Sequence, residues 1–405
     1  MSHYNLKRRE FLKAAGIGAA AALGSQAGAA EEIRIGRIIP ADQKLNIACI
    51  GCGGKGSSDI GGVAGENIVA LCDVDLNKAA GTFQKFPKAK KYKDYRRMLL
   101  EMDEQIDAVT VSTPDHMHFP IAMMAIKMGK HVFCQKPLTH TIWEARTLAL
   151  AARKHKVVTQ MGIQGHTMEG IRLLKEWLDA DAIGKVHDVQ YWTNRPIWPQ
   201  GMDLPKGEAV PPPTLDWNLW LGVASWRAYH PDYMPFKWRG WWDFGCGALG
   251  DIGCHAMDAA FYALELGSPI SVEAETSGHH PHAAPKWSIV TYQFPARGDK
   301  PPVKVVWMDG DKKPERPADL EAERKLPGGI GGQLIFGDKG TIMASDSYCR
   351  SLRIIPEKKM QEFAPNRPPK TLPRSPGIYN EWVGACKGGP TPGANFDYAG
   401  PLTEM

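Results

Sequence analysis

The apolar positions of this chain follow two rhythms. Leu45–Ile50, Ile68–Cys72, Ala108–Val111, His131–Cys134 and Val157–Met161 are short, nearly continuous apolar runs. That is the pattern of strands buried on both faces. Tyr95–Met102, Phe119–Met128 and Ile142–His155 lie between them and read as helices. Such alternation predicts an α/β domain with a doubly wound parallel sheet over residues 44–165. From about residue 166 the rhythm changes. Val186–Thr193, Ile270–Ala274, Trp287–Phe294, Val303–Met308 and Gln333–Phe336 read as strands separated by Gly- and Pro-bearing loops. Residues 166–405 are therefore expected to form an α+β domain around an open, mixed or antiparallel sheet.

The first strand runs into Gly51-Cys52-Gly53-Gly54-Lys55-Gly56, a G-x-G-x-x-G turn with an extra Gly54. Gly51 allows the tight turn, Gly53 lets backbone approach a pyrophosphate, and Gly56 permits close helix–strand packing. Lys55 opens the helix whose N-terminus would face the phosphates. The second strand ends at Asp73, twenty residues after Gly53. A carboxylate there accepts the adenosine ribose hydroxyls and repels a 2′-phosphate, so NAD is favoured over NADP. The bland alternative is a flavodoxin-like domain in which the glycines only close a turn.

Ahead of this domain, Arg8-Arg9-Glu10-Phe11-Leu12-Lys13 resembles the twin-arginine export core, with Lys7 where Ser or Thr is commoner. The apolar stretch Ala14–Leu23 is short, and Ala27-Gly28-Ala29 offers a cleavage site. Residues 1–30 are thus expected to be a signal peptide and 31–43 a linker. The alternative is a frayed basic tail. The motif implies the twin-arginine translocase as a partner during export and a periplasmic or extracytoplasmic destination. That route carries folded proteins, which suits a protein that loads its cofactor first.

Composition narrows the field. Lys plus Arg exceed Asp plus Glu by 49 to 44, and the basic residues are scattered, which argues against nucleic acid. No apolar run after Ala30 is long enough to span a bilayer. The eight cysteines do not form a disulfide framework, and the Cys49–Cys52 pair has no second pair to complete a zinc site.

At "VSTPDHMHFPIAMMAIKMGKHVFCQKPLTHT" the chain resembles the Gfo/Idh/MocA oxidoreductases, which include glucose–fructose oxidoreductase, inositol 2-dehydrogenase and the NAD-dependent glycosidases. The motifs are Thr113-Pro114-x-His116-x-His118, Lys136-Pro137, Ile183-Gly184-Lys185-Val186 and "GALGDIGCHAMD", Gly247 to Asp258. The resemblance spans roughly residues 44–405. It implies an NAD(P)-dependent enzyme acting on CH–OH groups. Its cofactor-binding positions here are Gly51, Gly53, Gly54, Lys55, Gly56, Asp73, Thr113, Pro114, His116, His118, Gln135 and Lys136. It implies Lys136, Asp251 and His255 as catalytic groups, and a homo-oligomer, dimer or tetramer, that buries one sheet face. The family usually reads Glu-Lys-Pro where this chain has Gln135-Lys136-Pro137, which leaves open how the lysine is oriented and tuned. The chain ends at "AGPLTEM", read either as a truncated copy or as a short natural terminus.

The chemistry is coherent. Asp251 and His255 are four apart and share a face if helical, with Asp258 three further on. Gly245, Gly247 and Gly250 would let this segment approach a ligand. Removing hydride from a carbinol carbon also requires loss of the hydroxyl proton. A histidine near neutral pKa is the natural base. Lys136 can stabilise the oxygen's negative charge and, with a lowered pKa, share the proton transfer. Asp251 would bind a neighbouring hydroxyl or orient the site.

Eight of the 13 tryptophans fall between Trp192 and Trp242. Most are expected to be packing anchors. Trp198 on a sugar face, with Asn194 and Arg195 as polar contacts and Asp258 nearby, forms the candidate substrate set. No metal site is read, "HHPH" at residues 279–282 included.

Two functions follow. One is an exported NAD-dependent oxidation of a secondary hydroxyl of a sugar, cyclitol or glycoside, with the cofactor tightly held and recycled in place. The other is an NAD-dependent glycoside hydrolase working by transient C3 oxidation, elimination, hydration and re-reduction. A degenerate binding protein is a third reading, which the retained Lys136 and His255 oppose.

Overall fold

Helix N-caps and buried runs set the elements of the first sheet. In the computed structural model, which describes residues 33–405, the strands β1 (Asn46–Ile50), β2 (Asn67–Cys72), β3 (Lys90–Tyr92), β4 (Ala108–Val111), β5 (His131–Cys134) and β6 (Thr159–Met161) form one sheet. Their order is β3-β2-β1-β4-β5-β6, and every pairing is parallel. The export-signal reading on residues 1–30 lies outside the described residues.

The connecting helices are α1 (Lys55–Gly62), α2 (Leu76–Lys85), α3 (Tyr95–Glu101), α4 (His118–Lys127) and α5 (Ile142–His155). The side chains of Asp75 and Asp94 accept from first-turn amides of α2 and α3. Thr141 and Glu144 form a reciprocal capping box on α5. Within the described residues no side chain caps α1, whose N-cap is Gly54. That end is left for something else. Strand order reverses between β1 and β4, where Gly51 meets Ser112, the crevice in which open α/β sheets hold ligands.

The second sheet comprises β7 (Val186–Trp192), β8 (Ser271–Thr276), β9 (Ser288–Phe294), β10 (Val303–Met308), β11 (Gly332–Gly337), β12 (Thr341–Ala344) and β13 (Leu352–Ile355). Its order is β13-β12-β11-β7-β10-β9-β8. Only β7 and β10 run parallel, so the sheet is mixed. Helices α6 (Glu169–Asp179) and α8 (Asp258–Leu264) pack on it, and the short α7 (Trp217–Leu221) opens the tryptophan-rich segment. One apolar cluster runs from Val109 and Val132 of the first sheet, through Leu174 and Ala260, to Val305 and Ile335 of the second.

The chain does not end in the second sheet. After α9 (Glu357–Phe363) it returns to the first. In α10 (Ile378–Cys386), Trp382 is fully buried and meets Phe133 of β5 at a centroid distance of 5.7 Å. In α11 (Phe396–Glu404), Asp397 pairs with Arg153 of α5 at 2.6 Å. The expected 166–405 unit therefore lends its last two helices to the nucleotide-binding sheet. Among the described residues no helix is long and apolar enough to cross a membrane.

Candidate functional site

The cofactor cradle is built by sterics. At Gly51 φ is +81°, and a Cβ would lie 2.5 Å from the Ser112 carbonyl oxygen. At Gly56 a Cβ would lie 2.0 Å from the Gly51 carbonyl oxygen. Neither position tolerates a side chain. Gly53 is packed against Lys78 of α2. Gly54 differs: its φ is +52°, yet nothing lies within 4 Å of the point a Cβ would occupy. Gly54 is the N-cap of α1, so this open position lies at the helix N-terminus, where a pyrophosphate would fit. Asp73, at the end of β2, accepts from Cys52 N at 2.7 Å and from Asp75 N at 2.9 Å. Burial raises its pKa. Its carboxylate is thus held beside the glycine turn, where a ribose diol would sit.

The loop after β4 carries Thr113, Pro114, His116 and His118. The two histidines brace the loop instead of offering a free nitrogen, a correction to their reading as cofactor ligands. His118 lies 2.8 Å from both the Thr113 and the Pro137 carbonyl oxygens. His116 meets the Trp220 carbonyl at 3.1 Å and the Phe244 carbonyl at 3.3 Å. Carbonyls favour the charged rings, but burial outweighs them and pushes each pKa down to about 4. The hydroxyl of Thr113 is buried without a partner among the described groups.

Lys136 projects from the end of β5. Its Nζ donates to Asp251 Oδ1 at 2.8 Å and to the Asp251 carbonyl at 2.9 Å. Arg239 Nε donates to the same Oδ1 at 2.9 Å. The Arg239 guanidinium lies over Trp238 at 4.4 Å and Phe236 at 4.6 Å from the ring centroids. Burial alone would lower the Lys136 pKa, but the Asp251 carboxylate outweighs it and holds the ammonium above its usual range. Burial alone would raise Asp251, but Lys136 and Arg239 hold it well below the usual carboxylate range. The expectation of a lowered lysine pKa is therefore corrected: Lys136 is a fixed cation and a hydrogen-bond donor.

Asp251 and His255 are not on one regular α-helix. Residues Leu249–Gly253 form a π-helical turn, followed by a short α-turn Cys254–Ala256. A π-turn holds about 4.4 residues, so positions four apart still fall on nearly one side. His255 is only 4% exposed, and its ring packs on Tyr348 at 4.7 Å. Burial, with the Lys136 charge adding, pushes its pKa down to about 3. It is a neutral imidazole, not one poised near pH 7. Its Nδ1 has no partner among the described groups.

The Gln135 side-chain amide is bonded to α1. Its Nε2 donates to the carboxylate of Asp59, a residue of α1, at 2.9 Å. Asp258 Oδ1 accepts from Tyr398 OH at 2.6 Å and meets His166 Nδ1 at 2.9 Å, while its Oδ2 is buried without a partner among the described groups. It ties α8 to α11 through Tyr398. Asn194 and Arg195 bond each other at 2.6 Å, at the end of β7. Trp198 is 5% exposed, donates to Gln200 at 3.0 Å, and has the Arg239 guanidinium 5.7 Å from its ring. It supports Arg239. Of the tryptophans, Trp217, Trp220, Trp238 and Trp241 are core of their own cluster.

The residues that sequence reasoning missed come from four places. Asp115 is the unmarked position in Thr113-Pro114-x-His116-x-His118. It is 4% exposed, accepts from Cys246 N at 3.2 Å, and burial pushes its carboxyl up to about 6 against the pull of Lys136 and Arg239. Arg239 was one basic residue among many in the tryptophan-rich stretch. Tyr348 sits in the β12–β13 loop with no motif to mark it. A Lys-x-x-x-Asp spacing at Lys55 and Asp59 was the only local signal for Asp59.

Comparisons with known proteins agree with this geometry. Residues 45–163 match the oxidoreductase family's NAD-binding Rossmann fold, and residues 183–324 match its C-terminal alpha/beta domain. Levoglucosan dehydrogenase of Pseudarthrobacter phenanthrenivorans is 25% identical over 206 residues, 51% of this chain and 45% of that protein. D-glucoside 3-dehydrogenase of Escherichia coli is 26% identical over 209 residues, 52% of this chain and 50% of that protein. The chain thus spans about half the length of these curated relatives. The solved structure of the WlbA dehydrogenase from Bordetella pertussis, in complex with NADH and UDP-GlcNAcA, superposes with a TM-score of 0.62 at 17% identity. The superposition covers 89% of this chain and 94% of that one. At that identity the likeness speaks for the fold.

Proposed function

Since the chain belongs to the Gfo/Idh/MocA oxidoreductase family and its first domain is an NAD-binding Rossmann domain, we propose that it oxidises a secondary hydroxyl of a sugar, cyclitol or glycoside. Relatives named levoglucosan dehydrogenase and D-glucoside 3-dehydrogenase support that substrate class. The observation that carries the reading is the Lys136 ammonium held on Asp251, with the His255 ring close enough for the lysine's charge to lower its pKa.

Gly51–Gly56 and Asp73 would hold NAD, which would supply the hydride acceptor. Lys136 donates a hydrogen bond to the substrate oxygen and stabilises the negative charge that grows there as its proton leaves. Such a donor is worth roughly 3–4 kcal/mol of barrier. The His255 imidazole receives the hydroxyl proton. Burial pushes its pKa down to about 3, so the ring is neutral at pH 7 and free to accept a proton. Asp251 keeps Lys136 charged and aimed, and Arg239, whose own charge pulls the lysine pKa down, holds the Asp251 carboxylate in place.

The twin-arginine motif at Arg8-Arg9 supports export of the folded, loaded protein to an extracytoplasmic compartment. Free NAD is scarce there, so the cofactor is retained and recycled in place. Incubation of the purified chain with a panel of sugars and glycosides, followed at the NADH absorbance, tests the oxidation. Denaturing mass spectrometry tests the retention. No reduced cofactor with any sugar, and no NAD released on denaturation, would overturn the reading.

A second reading, the NAD-dependent glycoside hydrolase, is favoured by one observation. Asp115 is a buried carboxyl with a pKa of about 6 beside Lys136 and Arg239, the additional acid/base group that elimination and hydration need.

A further inference from the structure

Asp59 is fully buried in α1, and each of its oxygens is taken twice. Oδ2 accepts from Ser112 Oγ at 2.7 Å and Gln135 Nε2 at 2.9 Å. Oδ1 accepts from Tyr379 OH at 2.7 Å and from Lys55 Nζ. Lys55 also donates to Tyr379 OH at 3.1 Å. These partners come from four elements: β4's end, β5's end, the first turn of α1, and α10, more than three hundred residues on. Glycines make the room. A Cβ at Gly62 would lie 2.4 Å from the Tyr379 ring, and one at Gly162 would lie 2.3 Å from Gln135 Nε2.

We propose that Asp59 is a positioning residue that makes the cofactor cradle and the catalytic lysine one mechanical unit. Through Lys55 and Tyr379 it fixes the helix whose open N-terminus faces the cofactor. Through Gln135 it fixes the strand end from which Lys136 projects. It follows that residue 135 must be an amide. A glutamate there would set two carboxylates against each other in a buried site that holds one cation, and like charges so placed are strongly disfavoured. The step that Asp59 positions rests on the functional reading above. The coupling itself is read from cofactor affinity, so absence of sugar oxidation would count against that reading and leave this test standing.

The test is an acid–amide exchange between positions 59 and 135. Asp59→Asn, Gln135→Glu and the double variant are purified, and NADH affinity is measured by fluorescence together with thermal midpoints. Gln135→Glu is expected to weaken NADH binding by about tenfold or more, and the double variant to recover to within about threefold of the parent. In the double variant the amide now at position 59 donates to the carboxylate now at position 135, so the pair is re-formed with its polarity reversed. Tyr379→Phe, which removes one donor and keeps the ring, is expected to weaken NADH binding by about threefold with little change in thermal midpoint. If Gln135→Glu does not fold but the exchange does, rescue is shown all the same. Additive losses in the double variant, or unchanged affinity in Gln135→Glu, would overturn the proposal.

Discussion

Asp251 binds the Lys136 ammonium twice, with its side chain at 2.8 Å and its own carbonyl at 2.9 Å. The carboxylate keeps the lysine charged where burial would discharge it. An activity that needs the ammonium is lost as pH rises through its pKa. Asp251→Asn removes the opposing charge, so burial then lowers that pKa and the alkaline limb of kcat/KM moves to lower pH. A shift of at least about one pH unit is expected, with kcat also reduced. An alkaline limb that stays in place would show that Asp251 does not set the lysine's charge.

Three buried histidines make the fold acid-labile. His116, His118 and His255 have pKa values pushed by burial to about 4, 4 and 3. In the unfolded chain each takes up a proton near pH 6.5, whereas the folded chain does not until far lower. Stability is therefore full above about pH 6.5 and falls as pH drops toward 4, by ~2 kcal/mol per residue at pH 5. Urea unfolding at pH 7.5 and pH 5 checks this. An unchanged midpoint would mean that these rings are not held neutral.

Much of the first sheet was legible because its strands are continuous apolar runs and its turn has glycines at fixed offsets. β3, β12 and β13 were not: they have only three or four residues each, and Lys90–Tyr92 is polar. The catalytic trio could be picked out because Lys136, Asp251 and His255 sit in motifs. Their protonation could not, since it depends on which groups are buried against one another across the fold. Nor could a sequence window reveal that Tyr379 returns to α1, or that Asp258 serves Tyr398 and His166. Those are contacts between segments as much as 320 residues apart.

Gly54 separates cofactor binding from folding. Gly51→Ala and Gly56→Ala would drive a methyl into backbone and are expected to impair folding. At Gly54 the space is open, so Ala meets only the strain of its φ of +52°, costing about 1–3 kcal/mol. The added methyl stands where the pyrophosphate approaches α1. Gly54→Ala is thus expected to remain folded, with a thermal midpoint lowered by several degrees and NADH affinity reduced by about tenfold or more. Full affinity would move the phosphates away from this turn.

Asp115 decides between net oxidation and glycoside cleavage. A carboxyl near pKa 6 donates a proton to a leaving group only below about that pH. If the chain cleaves glycosides, cleavage falls as pH rises past 6, and Asp115→Asn abolishes it by about a hundredfold or more while a free sugar is still oxidised. Deuterium from solvent would then appear at C2 of the released sugar with no net NADH. If the chain is a dehydrogenase alone, no deuterium enters. Asp115→Asn then leaves hydride transfer within about tenfold of the parent, since Lys136 and His255 hold the reacting hydroxyl. Measuring NADH and C2 deuterium in the same reaction distinguishes the two.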